Sequence, residues 1–388
     1  MTLLDARTLT AAPSGIGVYT RNLLAGLHEA GPERPVRVWL RPGLAGTLGP
    51  QLRGSRALDL LELPGSPASP GHLLRGARAA RRDARGGVFH VPDAFAPAVG
   101  RLDPVVTLHD VIPLVCGGQL ARSKKRRLRW LWRAWLLRQT ARARAVVTVS
   151  EHAAGEIHRV LGVPREKLEV IHNAVPPPPP LDPAAPDPAA PPVARQPGGR
   201  FVLNVGRRDP YKNVPGLVRA FGRMRAEHPR LRGVRLVVVG PPDPRYPEAE
   251  AAADAPGVRG SVEFRGYVGA RELAGLYAAA AAVAVPSRFE GFGLPLAEAM
   301  AAGAPVVCSD RASLPEVAGG AALLVDPDDE AALAAALARV LLDAELAAGL
   351  AARGRARAAS FGLRAFGERH LRLYERLERA GGGRPASA

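Results

Sequence analysis

Cysteine is almost missing from this chain: two in 388 residues, Cys116 and Cys308. Neither stands at metal-ligand spacing, which excludes a disulfide framework and a structural zinc site and points to a reducing compartment. Long apolar runs are lacking too. No stretch of about 18 apolar residues occurs, so no segment is expected to span a membrane. The opening Met1-Thr-Leu-Leu-Asp-Ala-Arg7 lacks the charged-then-apolar pattern of a secretory signal, and a cytoplasmic location is the expectation. Acidic residues are absent between Arg122 and Arg144, where ten Lys and Arg occur.

The net charge is +17 and is unevenly spread. Residues 1–175 hold 26 Lys+Arg against 13 Asp+Glu, a net +13; residues 176–388 hold 27 against 23, a net +4. The excess in the first half suggests an anionic partner: a phosphorylated substrate, an acidic lipid surface or nucleic acid. Within the basic stretch, Leu128, Leu131, Trp132 and Trp135 fall at helical spacing on one apolar face. Two readings follow. The face packs on the protein and the arginines are solvated, or it enters a headgroup layer while the arginines bind acidic lipid, a peripheral contact through Arg122–Arg144. A basic nucleic-acid-binding protein is the alternative from another class. It is disfavoured, because no recognised nucleic-acid fold or aromatic RNA-binding motif accompanies the patch.

The length accommodates two domains with cores of their own. Apolar runs at Thr2–Leu4, Val36–Leu40, Val88–Val91, Val105–Leu108, Ala145–Val149 and Leu168–Ile171 read as strands. Helical patterns lie between several of them, at Val18–Ala30, Ser123–Ala141 and Glu151–Leu161. A second series has strands at Phe201–Val205, Arg235–Val239, Val262–Phe264, Ala282–Val285, Pro305–Cys308 and Ala322–Val325. Its helices are Asn213–Glu227, Ala270–Ala279, Leu296–Ala302 and Glu330–Leu342. Alternation of this kind predicts α/β architecture with open parallel sheets. The boundaries are a first domain at 1–175, a Pro-rich linker at 176–199, a second domain at 200–360, a C-terminal helix at 361–380 and a disordered tail at 381–388. Two doubly wound domains would hold ligands at the carboxyl ends of their strands, in a cleft.

Several stretches could carry chemistry. Gly15-Ile-Gly17 reads as a glycine turn opening a helix, able to approach phosphate. It lacks the third glycine of the dinucleotide fingerprint, and no acidic residue follows at ribose distance, so a nicotinamide enzyme is poorly supported. His109-Asp110 ends a strand, where an imidazole can exchange hydrogen bonds with a ligand. After the first strand of the second domain, Arg207 and Lys212 form a cation pair suited to a diphosphate, with Arg208 read as a solvated surface residue. The segment Arg288–Met300 holds two carboxylates, Glu290 and Glu298, around a Gly-Phe-Gly turn and a helix start with Pro295 in its first turn. A helix N-terminus there favours an anion, and the carboxylates would accept from hydroxyls, so the ligand should carry both phosphate and sugar. Asp326-Pro-Asp328 reads as helix capping, Ser313 to Glu316 as a capping box and Ser150 as an N-cap. No metal site and no cofactor are assigned.

With these motifs collected, the chain resembles the family-four retaining glycosyltransferases of the GT-B fold. The likeness runs through Gly15-Ile-Gly17, His109-Asp110, Val149-Ser-Glu-His152, Val170-Ile-His-Asn-Ala-Val175, Gly206-Arg207 to Lys212-Asn213, Gly266-Tyr-Val268 and Glu290 to Glu298. The His-Asp-x-Ile-Pro form at 109–113 resembles a subset that often transfers mannose. His172-Asn173-Ala174 departs from the family's Pro-Asn-Gly. The resemblance implies two Rossmann-like domains facing a central cleft, with the final helix crossing back to the first. It also implies a role for each site residue. Glu298 would bind ribose hydroxyls, and Glu290 a hydroxyl of the transferred sugar. Phe292, Gly293 and Leu294 would present backbone groups to sugar and phosphate. Arg207 and Lys212 would neutralise the departing diphosphate, His109 would bond the donor sugar, and Gly15 and Gly17 would admit the phosphates. The implied activity is metal-independent transfer of a hexose, mannose favoured, from GDP-mannose or a UDP-sugar. The acceptor would be a glycan or a lipid-linked glycan in cell-surface polysaccharide or glycolipid synthesis. A donor-binding scaffold that has lost activity is the remaining alternative.

Overall fold

The computed structural model describes residues 1–10, 15–67, 69–84, 87–97, 102–117, 120, 122, 128–178 and 199–381. Most of the proposed linker (179–198), most of the proposed tail (382–388) and part of the basic stretch (123–127) lie outside the described residues. The chain divides into two compact units. Met1–Leu114, Leu128–Pro176 and Phe361–Ala388 make the first; Val115–Arg127 and Pro177–Ser360 make the second. The segment around Arg122 thus departs from the single boundary read near residue 175. Arg122 explains it, because its guanidinium donates to the Arg245 carbonyl at 2.6 Å and to Glu248 at 2.7 Å.

In the first unit, β1 (Leu3–Asp5), β2 (Val36–Leu40), β3 (Leu58–Glu62), β4 (Phe89–Val91), β5 (Val105–Thr107), β6 (Ala145–Thr148) and β7 (Leu168–Val170) form one parallel sheet in the order β3-β2-β1-β4-β5-β6-β7. β1, β4, β5 and β6 are buried along their length, which is why they read as mainly apolar runs, with Asp5, His90, Thr107 and Thr148 the buried polar exceptions. β3 and the helix Pro70–Ala84 escape the sequence pattern. β3 is an edge strand with partly exposed acidic residues, and the helix is rich in arginine.

A buried ion pair and a close helix crossing lock this unit. Asp5 accepts a bidentate pair from Arg7, at 2.8 and 2.6 Å, with both side chains buried. Arg7 also donates to His72 Nδ1 at 2.9 Å and lies 5.1 Å over the Trp39 ring. Burial pulls the His72 imidazole down to about 4, so it stays neutral and keeps the lone pair that arginine requires. The second of these is the crossing of helix Gly15–Ala30 with the C-terminal helix Leu363–Gly381. A Cβ at Gly367 would sit 2.0 Å from the Gly26 carbonyl oxygen, and one at Gly26 2.6 Å from that of Leu363. Only hydrogen at both positions allows the two backbones to touch.

Helix Arg129–Arg142 divides its apolar residues in a way periodicity did not show. Trp132 and Trp135 face inward, 5.9 and 6.1 Å from the Phe95 ring, and Trp135 donates to the Ala94 carbonyl. Leu128, Trp130 and Leu131 point outward, 54%, 69% and 46% exposed. Among the described residues, no helix is long and apolar enough to cross a membrane.

The second unit contains β8 (Phe201–Val205), β9 (Arg235–Val239), β10 (Val262–Arg265), β11 (Ala282–Val285), β12 (Val306–Ser309) and β13 (Leu323–Val325). They form a parallel sheet in the order β10-β9-β8-β11-β12-β13, with Val202 beside Leu236 on one side and Ala282 on the other. Helices Val214–Glu227 and Glu330–Leu342 bury Leu217, Phe221, Met224, Leu337 and Leu341 in its core. Each such fully buried side chain contributes about 1.5–3 kcal/mol.

Candidate functional site

Strand order reverses between β8 and β11, and the loops leaving those two strands diverge at that switch point. The β8 loop runs from Gly206 to Asn213, and the β11 loop from Pro286 to Gly293. Two glycines shape the first. Gly206 and Gly240, at the ends of β8 and β9, have φ of 144° and 140°. A Cβ at Gly240 would lie 2.0 Å from the Gly206 carbonyl oxygen. Asn213 adopts a left-handed conformation (φ 55°) and donates to the Pro327 carbonyl at 2.6 Å, fixing the start of the next helix. The two loops are tied by the Arg288 amide, which donates to the Tyr211 carbonyl at 2.7 Å.

Lys212 and Glu290 meet at that junction. Lys212 Nζ lies 2.6 Å from Glu290 Oε1, with the side chains 17% and 8% exposed. The same oxygen accepts from Ser287 Oγ at 2.7 Å, and Ser313 donates to the Glu290 carbonyl at 3.1 Å. Glu290 is therefore held at both its carboxylate and its backbone. A lysine ammonium has three donors, so Lys212 retains capacity for a second anion while pairing with Glu290. Beyond Glu290 the chain turns through buried Phe292 to Gly293, whose φ of 96° opens helix Leu294–Ala302. Pro295 sits in the first turn of that helix.

Glu298, one turn further, has a different partner. Its Oε2 accepts from Tyr277 of helix Ala270–Ala279 at 2.9 Å. Burial pushes the Glu298 carboxyl up to about 7, against the smaller opposing effect of the tyrosine bond. Burial and the neighbouring carboxylate push the Tyr277 phenol well up, so it remains a donor.

One arginine of the β8 loop departs from the expected solvated surface residue. Arg208 is buried, pairs with Glu250, donates to the Gly240 carbonyl at 3.0 Å and lies 4.7 Å over the Phe264 ring. It is a structural residue rather than a solvated one. Arg207 is the exposed member, its side chain 64% accessible and 3.2 Å from Asp209. Two capping assignments are also corrected. Asp329, not Asp326 or Asp328, caps helix Glu330–Leu342 by accepting from the Ala332 amide at 2.9 Å. Asp326 and Asp328 instead bind Arg311, with Arg288 also on Asp328. Ser313 makes no cap bond, because its hydroxyl goes to Glu290. Ser150 does cap its helix, accepting from Ala153 at 3.0 Å. Among the described residues, no three His, Cys, Asp or Glu side chains gather as a metal site would require.

In the first unit, His109 follows β5. Its Nε2 lies 3.0 Å from the Pro92 carbonyl oxygen, which can only accept, so Nε2 carries the proton. Burial lowers the imidazole to about 4. At neutral pH His109 is uncharged, and its Nδ1 is an acceptor. The neighbouring Asp110 accepts from the Ile112 amide at 2.9 Å. Gly15 and Gly17 lie inside the first turn of helix Gly15–Ala30, not in a loop before it; Gly15 is exposed and Gly17 buried. Asp93 was not anticipated. It follows β4, accepts from the Phe95 amide at 2.6 Å, and burial raises its carboxyl to about 7.

Two family profiles cover most of the chain: Glycosyltransferase Family 4 matches residues 13–177, and Glycosyl transferases group 1 matches residues 199–343. The O-antigen chain mannosyltransferase B of Escherichia coli is 33% identical over 294 residues, 73% of this chain and 72% of that protein. The chain belongs to the family 4 glycosyltransferases. A phosphatidyl-myo-inositol mannosyltransferase of Mycolicibacterium smegmatis is 35% identical over 187 residues, 47% of each protein. Among solved structures, sucrose-phosphate synthase from Thermosynechococcus elongatus aligns with a TM-score of 0.72 at 22% identity, over 98% of this chain and 100% of that one. Anabaena HepE in complex with UDP and glucose aligns at 0.70 and 21%, over 97% and 100%. These likenesses give the glycosyltransferase its fold, GT-B with two Rossmann-like parallel-sheet domains.

Proposed function

We propose that this glycosyltransferase moves a hexose, mannose favoured, from a nucleotide-diphosphate sugar to a glycan or lipid-linked acceptor, with retention at the anomeric carbon. The observation that carries the reading is the Lys212–Glu290 pair beside a helix N-terminus at the switch point of the second sheet. When the bond between the sugar and the diphosphate breaks, negative charge grows on the leaving group. Lys212, Arg207 and the amides opening helix Leu294–Ala302 stabilise that charge. Glu290 uses its second oxygen for a sugar hydroxyl, and Glu298 accepts from the ribose. His109 accepts from another sugar hydroxyl through Nδ1. In the retaining course the acceptor hydroxyl attacks from the face the diphosphate leaves, and the departing phosphate oxygen takes its proton.

The E. coli and M. smegmatis relatives, both named as mannosyltransferases, favour mannose and therefore GDP-mannose. The UDP carried by HepE keeps UDP-sugars in the test. Incubation with a panel of GDP- and UDP-sugars, reading nucleotide release with and without a lipid-linked glycan, should single out one donor. Absence of binding to every donor would refute the reading.

The exposed Leu128, Trp130 and Leu131, set among arginines of the most basic stretch, favour a second element: reversible docking on acidic membrane, where lipid-linked acceptors reside. Flotation with vesicles containing anionic lipid should carry the protein upward, and zwitterionic vesicles should not. Equal behaviour in both would remove the membrane from the reading.

A further inference from the structure

His109 stands against a chain of buried polar groups that its own reaction role does not require. Tyr19, on helix Gly15–Ala30, meets the His109 ring edge to face, with centroids 4.6 Å apart and planes at 86°. The same tyrosine packs edge to face on Phe366 of the C-terminal helix at 5.4 Å. Its hydroxyl lies 2.9 Å from His370 Nε2 on that helix and 3.3 Å from Thr107 Oγ1, at the end of β5. His90 then joins Thr107 at 2.9 Å and Tyr374 at 2.6 Å.

Valence fixes the direction of every bond in this chain. His370 Nδ1 is 2.9 Å from the Phe366 carbonyl oxygen, which only accepts, so Nδ1 bears the proton. Burial holds His370 neutral, near 4, so its Nε2 accepts from the Tyr19 hydroxyl. Tyr19 has one proton, now committed, and can only accept from Thr107. Thr107 in turn accepts from His90 Nε2, and His90 Nδ1 accepts from Tyr374. The order Tyr374 to His90 to Thr107 to Tyr19 to His370 to the Phe366 carbonyl satisfies each group and leaves no proton to place twice. Burial lowers His90 as well, so no member of the chain carries charge. The Tyr19 ring is thus pinned at its hydroxyl from two sides, and it meets the His109 ring edge to face.

We propose that Tyr19 is a positioning residue for His109, anchored by His370, so that the last helix of the chain sets the orientation of the imidazole meant for the donor sugar. The proposal rests on the function assigned to His109 above. The geometry specifies what Tyr19 does there: it fixes a ring plane and thereby the direction of the Nδ1 lone pair, without touching substrate. Misplacement of a reacting group by about 1 Å can lower a rate about a hundredfold, so a ring contact of this kind is large enough to matter.

A double-mutant cycle tests it. Tyr19→Leu should lower kcat for sugar transfer about tenfold or more while leaving nucleotide-sugar affinity within about twofold. In a His109→Ala background the same substitution should cause no further loss of kcat, even though it still lowers the melting temperature. Tyr19→Phe keeps the ring and removes its anchors, and should fall between wild type and Tyr19→Leu. It also serves if Tyr19→Leu does not fold. Histidine ring nitrogens followed by ¹⁵N NMR give a readout independent of turnover. Wild type should show His109 as a single Nε2-protonated tautomer, and Tyr19→Phe should shift or broaden that signal. Equal rate losses in the wild-type and His109→Ala backgrounds would overturn the proposal, as would an unchanged His109 signal in Tyr19→Phe. A wild-type protein that transfers from no donor would remove the functional reading instead, and the NMR comparison would still decide whether Tyr19 orients the ring.

Discussion

Glu298 offers the sharpest test of the proposed donor site, because burial pushes its carboxyl up to about 7 from the ordinary 4.5. The folded protein therefore holds a proton between those values that the unfolded chain has lost, and stability falls as pH rises across that interval. A shift of about two and a half units corresponds to about 3 kcal/mol, present at pH 4.5 and gone by pH 8. Glu298→Gln keeps an acceptor for the Tyr277 hydroxyl and removes the titration. Urea unfolding of the ligand-free proteins should show the variant matching wild type near pH 4.5 and exceeding it by up to about 3 kcal/mol at pH 8. Donor binding should run the other way. Ribose hydroxyls prefer the ionised carboxylate, so wild-type affinity for a nucleotide sugar should rise about tenfold from pH 6 to pH 8. A nucleotide sugar is the right ligand, since its diphosphate is esterified at both ends and does not titrate there. Calorimetry on Glu298→Gln should give weak, pH-independent binding. Parallel pH slopes for wild type and variant, in either measurement, would refute the reasoning.

Other expectations follow from single contacts. Ser287→Ala leaves Glu290 Oε1 to Lys212 alone, and transfer should slow by about three- to tenfold with nucleotide affinity retained, as separate kcat and Kd measurements would show. Gly367→Ala forces a methyl against the Gly26 carbonyl and should destabilise the first unit by about 1–3 kcal/mol or more in thermal unfolding. Arg7→Met strips a buried carboxylate, Asp5, of its partner, and denaturant unfolding should register a loss of about 3–5 kcal/mol.

Strands buried on both faces were legible from sequence because apolar side chains predominate there, and the few polar ones need a partner. Val36–Leu40, Arg235–Val239 and Ala282–Val285 end where the pattern says. The edge strand Leu58–Glu62 was not legible, since one side meets no neighbouring strand and its acidic residues are tolerated. At the site, the residue types and their loops could be read, but their partners could not. Arg207 and Arg208 are adjacent and chemically identical. What buries the second is Phe264 and Glu250, far along the chain. Ser287, Tyr277 and Tyr19 carry no motif of their own; each acquires its part only when folding brings Glu290, Glu298 or His109 against it.

The contact of Gly26 with Gly367 has a consequence for how the protein is made. The first unit is assembled from segments on either side of the second, and its closing helix is translated after that unit. During synthesis the early strands wait, with helix Gly15–Ala30 lacking its helical neighbour Leu363–Gly381 and Tyr19 and His90 lacking acceptor and donor, while the second unit emerges and can fold. Completion of the unit that carries His109 thus waits until the chain beyond Ser360 has been made. A polypeptide stopped at Ser360 would retain the Lys212–Glu290 pair and yet lack the helix that anchors Tyr19.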